Sequence, residues 1–269
     1  MGERGSVTIS TYALFDQPLE QAVRQIIEDG WKSIEIMCEA GHSELLRWPK
    51  EKQKEFKQAG IEQGITWSIH APIEGCNPAA ESGKLRDQSL EMMKRCLELA
   101  VELDSAHVVM HAGEVHDRLD EAERARGVEQ VQRFVEPLVS QLSGTETVLT
   151  LENVPPYPKV LGWTVSDLVE ICARTDSQQL GIVYDVGHAH LIREGYALEA
   201  LQEVFPYLMG LHLSDNHGLK DDHLAVGEGS IPYSAILAWL KENKYAGSWV
   251  LETTSLADAR LSLQRLKEL

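Results

Sequence analysis

Basic residues are scarce in this chain. Its 269 residues carry 25 Lys+Arg against 42 Asp+Glu, a formal charge of −17. That deficit argues against broad affinity for nucleic acid, which depends on Lys and Arg neutralising phosphates. It leaves room for a local basic patch or for a metal site that attracts anions. Cysteine is scarce too. Cys38, Cys76, Cys96 and Cys172 form no C-x-x-C pair, so neither a zinc ribbon nor a redox motif is offered. No run approaches the ~18 apolar residues of a membrane span, and Met1 to Ser10 holds no apolar stretch suited to a signal peptide. The expectation is a cytoplasmic protein with reduced thiols. A composition of 43% hydrophobic and 25% charged residues excludes disorder, collagen and coiled coil as the main architecture.

What is present is an alternation. Short apolar runs read as strands at Val7–Ser10, Ser33–Met37, Thr66–His70, His107–Met110, Thr147–Leu151, Leu180–Tyr184, Leu208–Leu213 and Ser248–Leu251. Between and after them, helices are predicted at Pro18–Asp29, Pro49–Gln63, Arg86–Leu103, Leu119–Leu142, Thr164–Arg174, Glu194–Val204, Pro232–Lys244 and Leu256–Leu266. The strands are rich in Val, Ile and Leu on nearly every residue, as strands buried on both faces are. Each helix is long enough to cross back over the sheet, and no Gly/Ser linker divides residues 1–269. Eight such units in a chain of this length predict a single α/β domain, a closed (β/α)8 TIM barrel. The runner-up is an open doubly wound sheet, which usually carries a Gly-rich turn after its first strand. Here that segment, Thr11–Gln17, has no glycine.

The residues that end the strands carry the chemistry. His70 ends strand three, His111 strand four, Glu152 strand five and Asp185 strand six, with His188 three residues further on. Strand seven holds His212, its loop carries Asp221-Asp222-His223, and Glu252 ends strand eight. In a barrel these ends converge on one mouth, where active sites are built. A lone strand-end histidine usually bonds to backbone, and a lone carboxylate there often caps a helix. Six successive strands ending in metal-competent groups are a different matter. Crowded together without a cation, they would repel and be costly to bury. Imidazole with carboxylate suits Zn, Mn, Fe or Co, and the lack of thiolate weakens the case for a purely structural zinc.

The ordered set Ile69-His70-Ala71-Pro72, His111-Ala112-Gly113, Leu151-Glu152-Asn153, Tyr184-Asp185-Val186-Gly187-His188, His212-Leu213-Ser214-Asp215-Asn216, Asp221-Asp222-His223 and Leu251-Glu252 resembles the xylose isomerase-like barrel superfamily. That superfamily includes sugar isomerases, sugar epimerases and the endonuclease IV type of abasic-site nuclease. The resemblance implies a central metal on Glu152, Asp185, His212 and Glu252. It implies a second metal on His70 and His111 with Glu152 bridging, and a third on His188, Asp221 and His223. The family spacing Asp-x-His favours Asp221 over Asp222, and the choice stays open. Two or three divalent ions per chain (Zn, Mn, Co or Fe) are thus implied.

Two chemistries follow from the resemblance. In the first, a small sugar or sugar phosphate is isomerised or epimerised through an enediolate, with Glu152 and Glu252 as base and acid. His188, Trp67 and Arg86 are candidate substrate contacts, Arg86 and Lys220 if a phosphate is bound. The arginine that epimerases usually place after the His-x-x-Asp-Asn stretch is missing, since the segment reads Asn216-His217-Gly218-Leu219-Lys220. In the second, clustered zinc ions hydrolyse a phosphoester, as in the abasic-site nuclease. The −17 charge weighs against duplex DNA as that substrate. A metal-binding barrel without catalysis is the third reading. The resemblance also implies a homo-oligomer. His42, His116, His190, His217 and Trp163 are further residues placed near the mouth, and Pro155-Pro156-Tyr157-Pro158 reads as a stiff loop.

Overall fold

The computed structural model describes residues 7–269. The chain runs β1 (Thr8–Ser10), α1 (Leu19–Glu28), β2 (Ser33–Met37), α2 (Lys50–Gln63), β3 (Thr66–His70), α3 (Lys84–Glu102), β4 (His107–His111) and α4 (Glu121–Gln141). It continues through β5 (Val148–Glu152), α5 (Val165–Thr175), β6 (Leu180–Asp185), α6 (Val186–His190), α7 (Tyr196–Val204), β7 (Leu208–Leu213), α8 (Tyr233–Glu242), β8 (Ser248–Leu251) and α9 (Leu256–Glu268). All neighbouring strands pair in parallel, and the sheet closes where β8 meets β1 through Thr8↔Val250 and Ile9↔Leu251. This is the (β/α)8 barrel that the alternation predicts. Of the N-terminal stretch Met1 to Ser10, residues 1–6 lie outside the described residues.

Helix ends follow their local chemistry. Asp120 caps α4 by accepting from the Glu123 amide at 2.9 Å. α2 stops at Gly64, whose φ of 67° a β-carbon would strain. Strand residues alternate between two environments. Leu149 and Leu151 on β5 join the apolar layer beneath the helices, together with Ile34, Ile69, Ile182 and Leu211. Thr150 and Glu152, their neighbours, face the barrel axis. Burying one such leucine contributes roughly 1.5–3 kcal/mol, so the register of each strand is held by its outward face.

One element differs from expectation. The helix predicted at Glu194–Val204 starts later, at Tyr196, and a five-residue helix, α6, precedes it. Asp185 caps α6, its Oδ1 accepting from the His188 amide at 2.6 Å. Too short to show a period, α6 is held by that cap and by burial of all five of its residues.

Candidate metal centre

Register brings the strand ends together. Across β4 and β5, His111 is paired with Glu152, and across β6 and β7, Asp185 is paired with His212. Glu252 follows β8 directly, its amide donating to the Leu213 carbonyl at 3.1 Å. α6 then carries His188 one helical turn past Asp185, and the β7–α8 loop returns Asp221 and His223 over the same mouth.

The nine residues form three contiguous groups. Glu152, Asp185, His212 and Glu252, all buried, offer ligand atoms within 4.8 Å of one another. His212 Nδ1 lies 2.9 Å from Glu152 Oε1 and 3.6 Å from Glu252 Oε2. The second oxygen of Glu152 turns the other way, 3.0 Å from both His70 Nε2 and His111 Nε2. Glu152 is therefore shared between two groups. In the third, Asp221 Oδ2 lies 3.2 Å from His188 Nε2 and 3.1 Å from His223 Nε2. Asp222 is turned away, its Oδ1 3.4 Å from Lys220 Nζ.

The histidines are oriented from behind. His70 Nδ1–H donates to the Ala71 carbonyl, His188 Nδ1–H to that of Asn153 and His223 Nδ1–H to that of Glu252, each at 2.8 Å. Each turns Nε2 toward the mouth as the nitrogen that, once it has lost its proton, could bind a metal. His212 is reversed, with Nδ1 toward the carboxylates.

Electrostatics ask for a cation here. Burial works to lower the pKa of His70, yet the Glu152 carboxylate outweighs it and holds the ring up at about 9. His223 is likewise pushed up to about 9, chiefly by Asp221 against burial. Burial raises Asp185 to about 6, with Glu152, Asp221 and Glu252 adding to the rise against His188. Three carboxylate oxygens of the set, Asp185 Oδ2, Asp221 Oδ1 and Glu252 Oε1, are buried without a hydrogen-bond partner. A buried acceptor without a partner is costly, and divalent ions held in the two groups to which these carboxylates belong would satisfy them. The donor set of imidazole and carboxylate fits such an ion.

Two sequence-predicted contacts are corrected. Trp67 does not wall the mouth. It sits on the outer face of β3, its ring 4.9 Å from that of Phe56 and pressed on Gly60 of α2. Its neighbour Ser68 takes the inward face, because strand side chains alternate. Arg86 does not reach the mouth either. Its Nη1 donates to the carbonyls of Pro78, Ala80 and Gln130 at 3.2–3.3 Å, pinning the β3–α3 loop to α4. His42 is also structural, held between Thr11 Oγ1 and the Gln17 carbonyl. His190 bonds Ser230 Oγ at 2.9 Å, and His116 and His217 are exposed. Trp163 lies under Arg118, 4.1 Å from ring centre to guanidinium carbon, while Arg118 Nη2 donates to Pro156 and ties down the proline-rich loop.

Three residues near the centre escaped the sequence reading. Tyr12, in a 3-10 turn after β1, has its ring 4.7 Å from that of His223. Glu35 and His107 lie deeper along the axis, with Glu35 Oε2 3.2 Å from His107 Nε2. A charged residue in the middle of an apolar strand, as Glu35 is in Ser-Ile-Glu-Ile-Met, was the available signal. A cavity of about 250 Å³ opens beside His111, lined by Ile73, Cys76, Asn77, Glu114 and Val154 among others. No helix among the described residues is long and apolar enough to cross a membrane.

The geometry has counterparts among known proteins. A solved structure described as a D-tagatose 3-epimerase-like protein superposes with a TM-score of 0.86 at 30% identity, covering 98% of this chain and 96% of that one. An uncharacterized protein of Methanocaldococcus jannaschii is 29% identical over 97% of this chain and 87% of its own length. A protein of Natronomonas pharaonis named Probable endonuclease 4 is 28% identical over 76% of each chain. An epimerase-like protein thus stands beside a probable endonuclease among the proteins it resembles. The model of the xylose isomerase-like TIM barrel family matches residues 23–269, and this chain belongs to that family.

Proposed function

We propose that this chain, residues 1–269 working as one domain in the cytoplasm, is a divalent-metal-dependent isomerase or epimerase of a small sugar or sugar phosphate. The observation that carries the reading is the buried group of Glu152, Asp185, His212 and Glu252 at the barrel mouth. The epimerase-like structure at 30% identity supports the choice of reaction. When bound, a divalent ion (Zn, Mn, Co or Fe) supplies Lewis-acid stabilisation of the negative charge that develops on a ketose oxygen. The proton steps fall to the two glutamates. Glu152 has both oxygens engaged by His212, His70 and His111. Glu252 keeps Oε1 without a partner, the better placed of the two to take a proton from carbon. Asp185 and His212 hold the centre, and His188 faces the substrate from the rim.

A second reading, a multinuclear-zinc phosphoesterase, draws on the other two groups, His70 with His111 and His188 with Asp221 and His223. Together with the centre they supply nine ligands, enough for two or three ions. The nuclease relative favours it, and the charge of −17 disfavours duplex DNA as its substrate. The test is a panel of ketoses, ketose phosphates and abasic duplex DNA, run on protein loaded with Mn²⁺ or Zn²⁺. Conversion of a ketose or its phosphate is the expected result. Nicking of abasic duplex at ordinary salt, with every ketose untouched, would reverse the order of the two readings.

A further inference from the structure

Among the four ligand histidines whose rear nitrogen has a named partner, three lean on a backbone carbonyl and one does not. His212 Nε2 lies 3.0 Å from Glu35 Oε1, a close ionic contact rather than an aligned hydrogen bond. Neither atom has a hydrogen-bond partner elsewhere, and both residues are fully buried. Glu35 is itself held: Ser68 Oγ donates to its Oε2 at 3.0 Å, and His107 Nε2 stands 3.2 Å from the same oxygen.

We propose that Glu35 is a positioning residue for the metal centre, fixing His212 with Nε2 protonated and Nδ1 presented to the ion. The inference rests on the metal-centre reading above and adds to it a residue below the ligand layer. Physical reasons favour a carboxylate at this place. An imidazole on the barrel axis has no loop carbonyl behind it, because the strand carbonyls there are committed to the sheet. A carboxylate in that position accepts the rear N–H and makes the ring a stronger donor to the ion. Ser68 and His107 set the carboxylate's own orientation, so a short line of side chains runs from β3 and β4 through β2 to β7. Burial alone would push the Glu35 carboxyl up. The His212 and His107 rings outweigh it and hold the group below the ordinary carboxylate range.

The test uses the full chain, stripped with a chelator and titrated with Co²⁺ and with Zn²⁺ against a competing chelator. Glu35→Gln keeps the size and removes the charge. Its affinity at the tightest site should fall by about 10–100-fold, with an altered Co²⁺ ligand-field spectrum. Glu35→Asp, which retains the charge at a greater distance, should recover part of the loss. A second measurement needs no variant: in the zinc-loaded wild type, ¹⁵N-histidine spectra should show His212 bound through Nδ1 with a proton on Nε2. Unchanged affinity and spectrum in Glu35→Gln, or zinc on His212 Nε2, would overturn the proposal while leaving the metal centre standing. A wild-type chain that takes up neither ion would bring down the metal centre itself, and this inference with it.

Discussion

The centre and the rim of this mouth are built differently. Asp185, His212, Glu152 and Glu252 come from strand ends or the residue next to one, and none is more than 3% exposed. At the rim the His111 side chain is 17% exposed, that of Asp221 12% and that of His223 13%, and the last two come from a loop. The centre sets three carboxylates against one imidazole, where water cannot screen them. The rim sets two imidazoles beside each carboxylate that it uses. Buried negative charge in a rigid wall should hold one ion firmly, and the partly exposed rim, with Asp221 and His223 on a loop, should hold its ion more weakly. On the proposed reading, the centre would hold the main ion and the rim would adapt the site to a reaction.

Removing a carboxylate from the centre should have the largest effect. Glu152→Gln and Glu252→Gln are expected to lower kcat by about 10²–10⁴-fold, the range of a lost general acid or base, with circular dichroism unchanged. Activity near wild type in either variant would refute its role. Away from the mouth altogether, Trp67→Ala should cost about 3–5 kcal/mol of stability through the cavity it leaves against Phe56 and Gly60. KM should stay the same. A raised KM with unchanged denaturant midpoint would return Trp67 to the substrate.

A rim variant should separate the rim from the centre. Asp221→Asn is expected to weaken one ion by about 10-fold or more and to spare the tightest site, as metal counting after dialysis would show. Loss of every ion would mean that centre and rim act as one cluster. The smallest effect is the one on pH. His70 and His223 titrate near 9 in the ion-free fold, above the usual 6.5 of an unfolded histidine. Their proton-linked stability is therefore full below pH 6.5 and is lost as the pH rises through about 9. An ion needs the neutral rings and so binds better over the same interval. The Tm gap between zinc-loaded and stripped protein should widen from pH 6.5 to 9, and a constant gap would count against the assignment.

Much of this arrangement was legible without coordinates. Eight strand–helix units could be read because apolar period and helix stops are local properties, and each strand was located to within a residue or two. The strand-end residues from His70 to Glu252 also stood out, since polar groups closing apolar runs are rare enough to notice. α6 is not legible in the sequence because five residues hold too little pattern, although its cap, Asp185, stands out as a polar strand end. Trp67 and Arg86 were misplaced because nearness in sequence to a ligand says nothing of the face that a side chain takes.

The amino-acid order by itself determined the barrel, the order of its parts and the chemical kinds of group at its mouth, all of which follow from hydrophobic period and residue type. Only the tertiary structure decided that Asp221 and not Asp222 turns inward, that Trp67 lies under α2, and that Glu35 backs His212. Those choices depend on strand register and on the rotation of each strand about its own axis. Closure of the whole sheet sets both, so no short stretch of chain contains them.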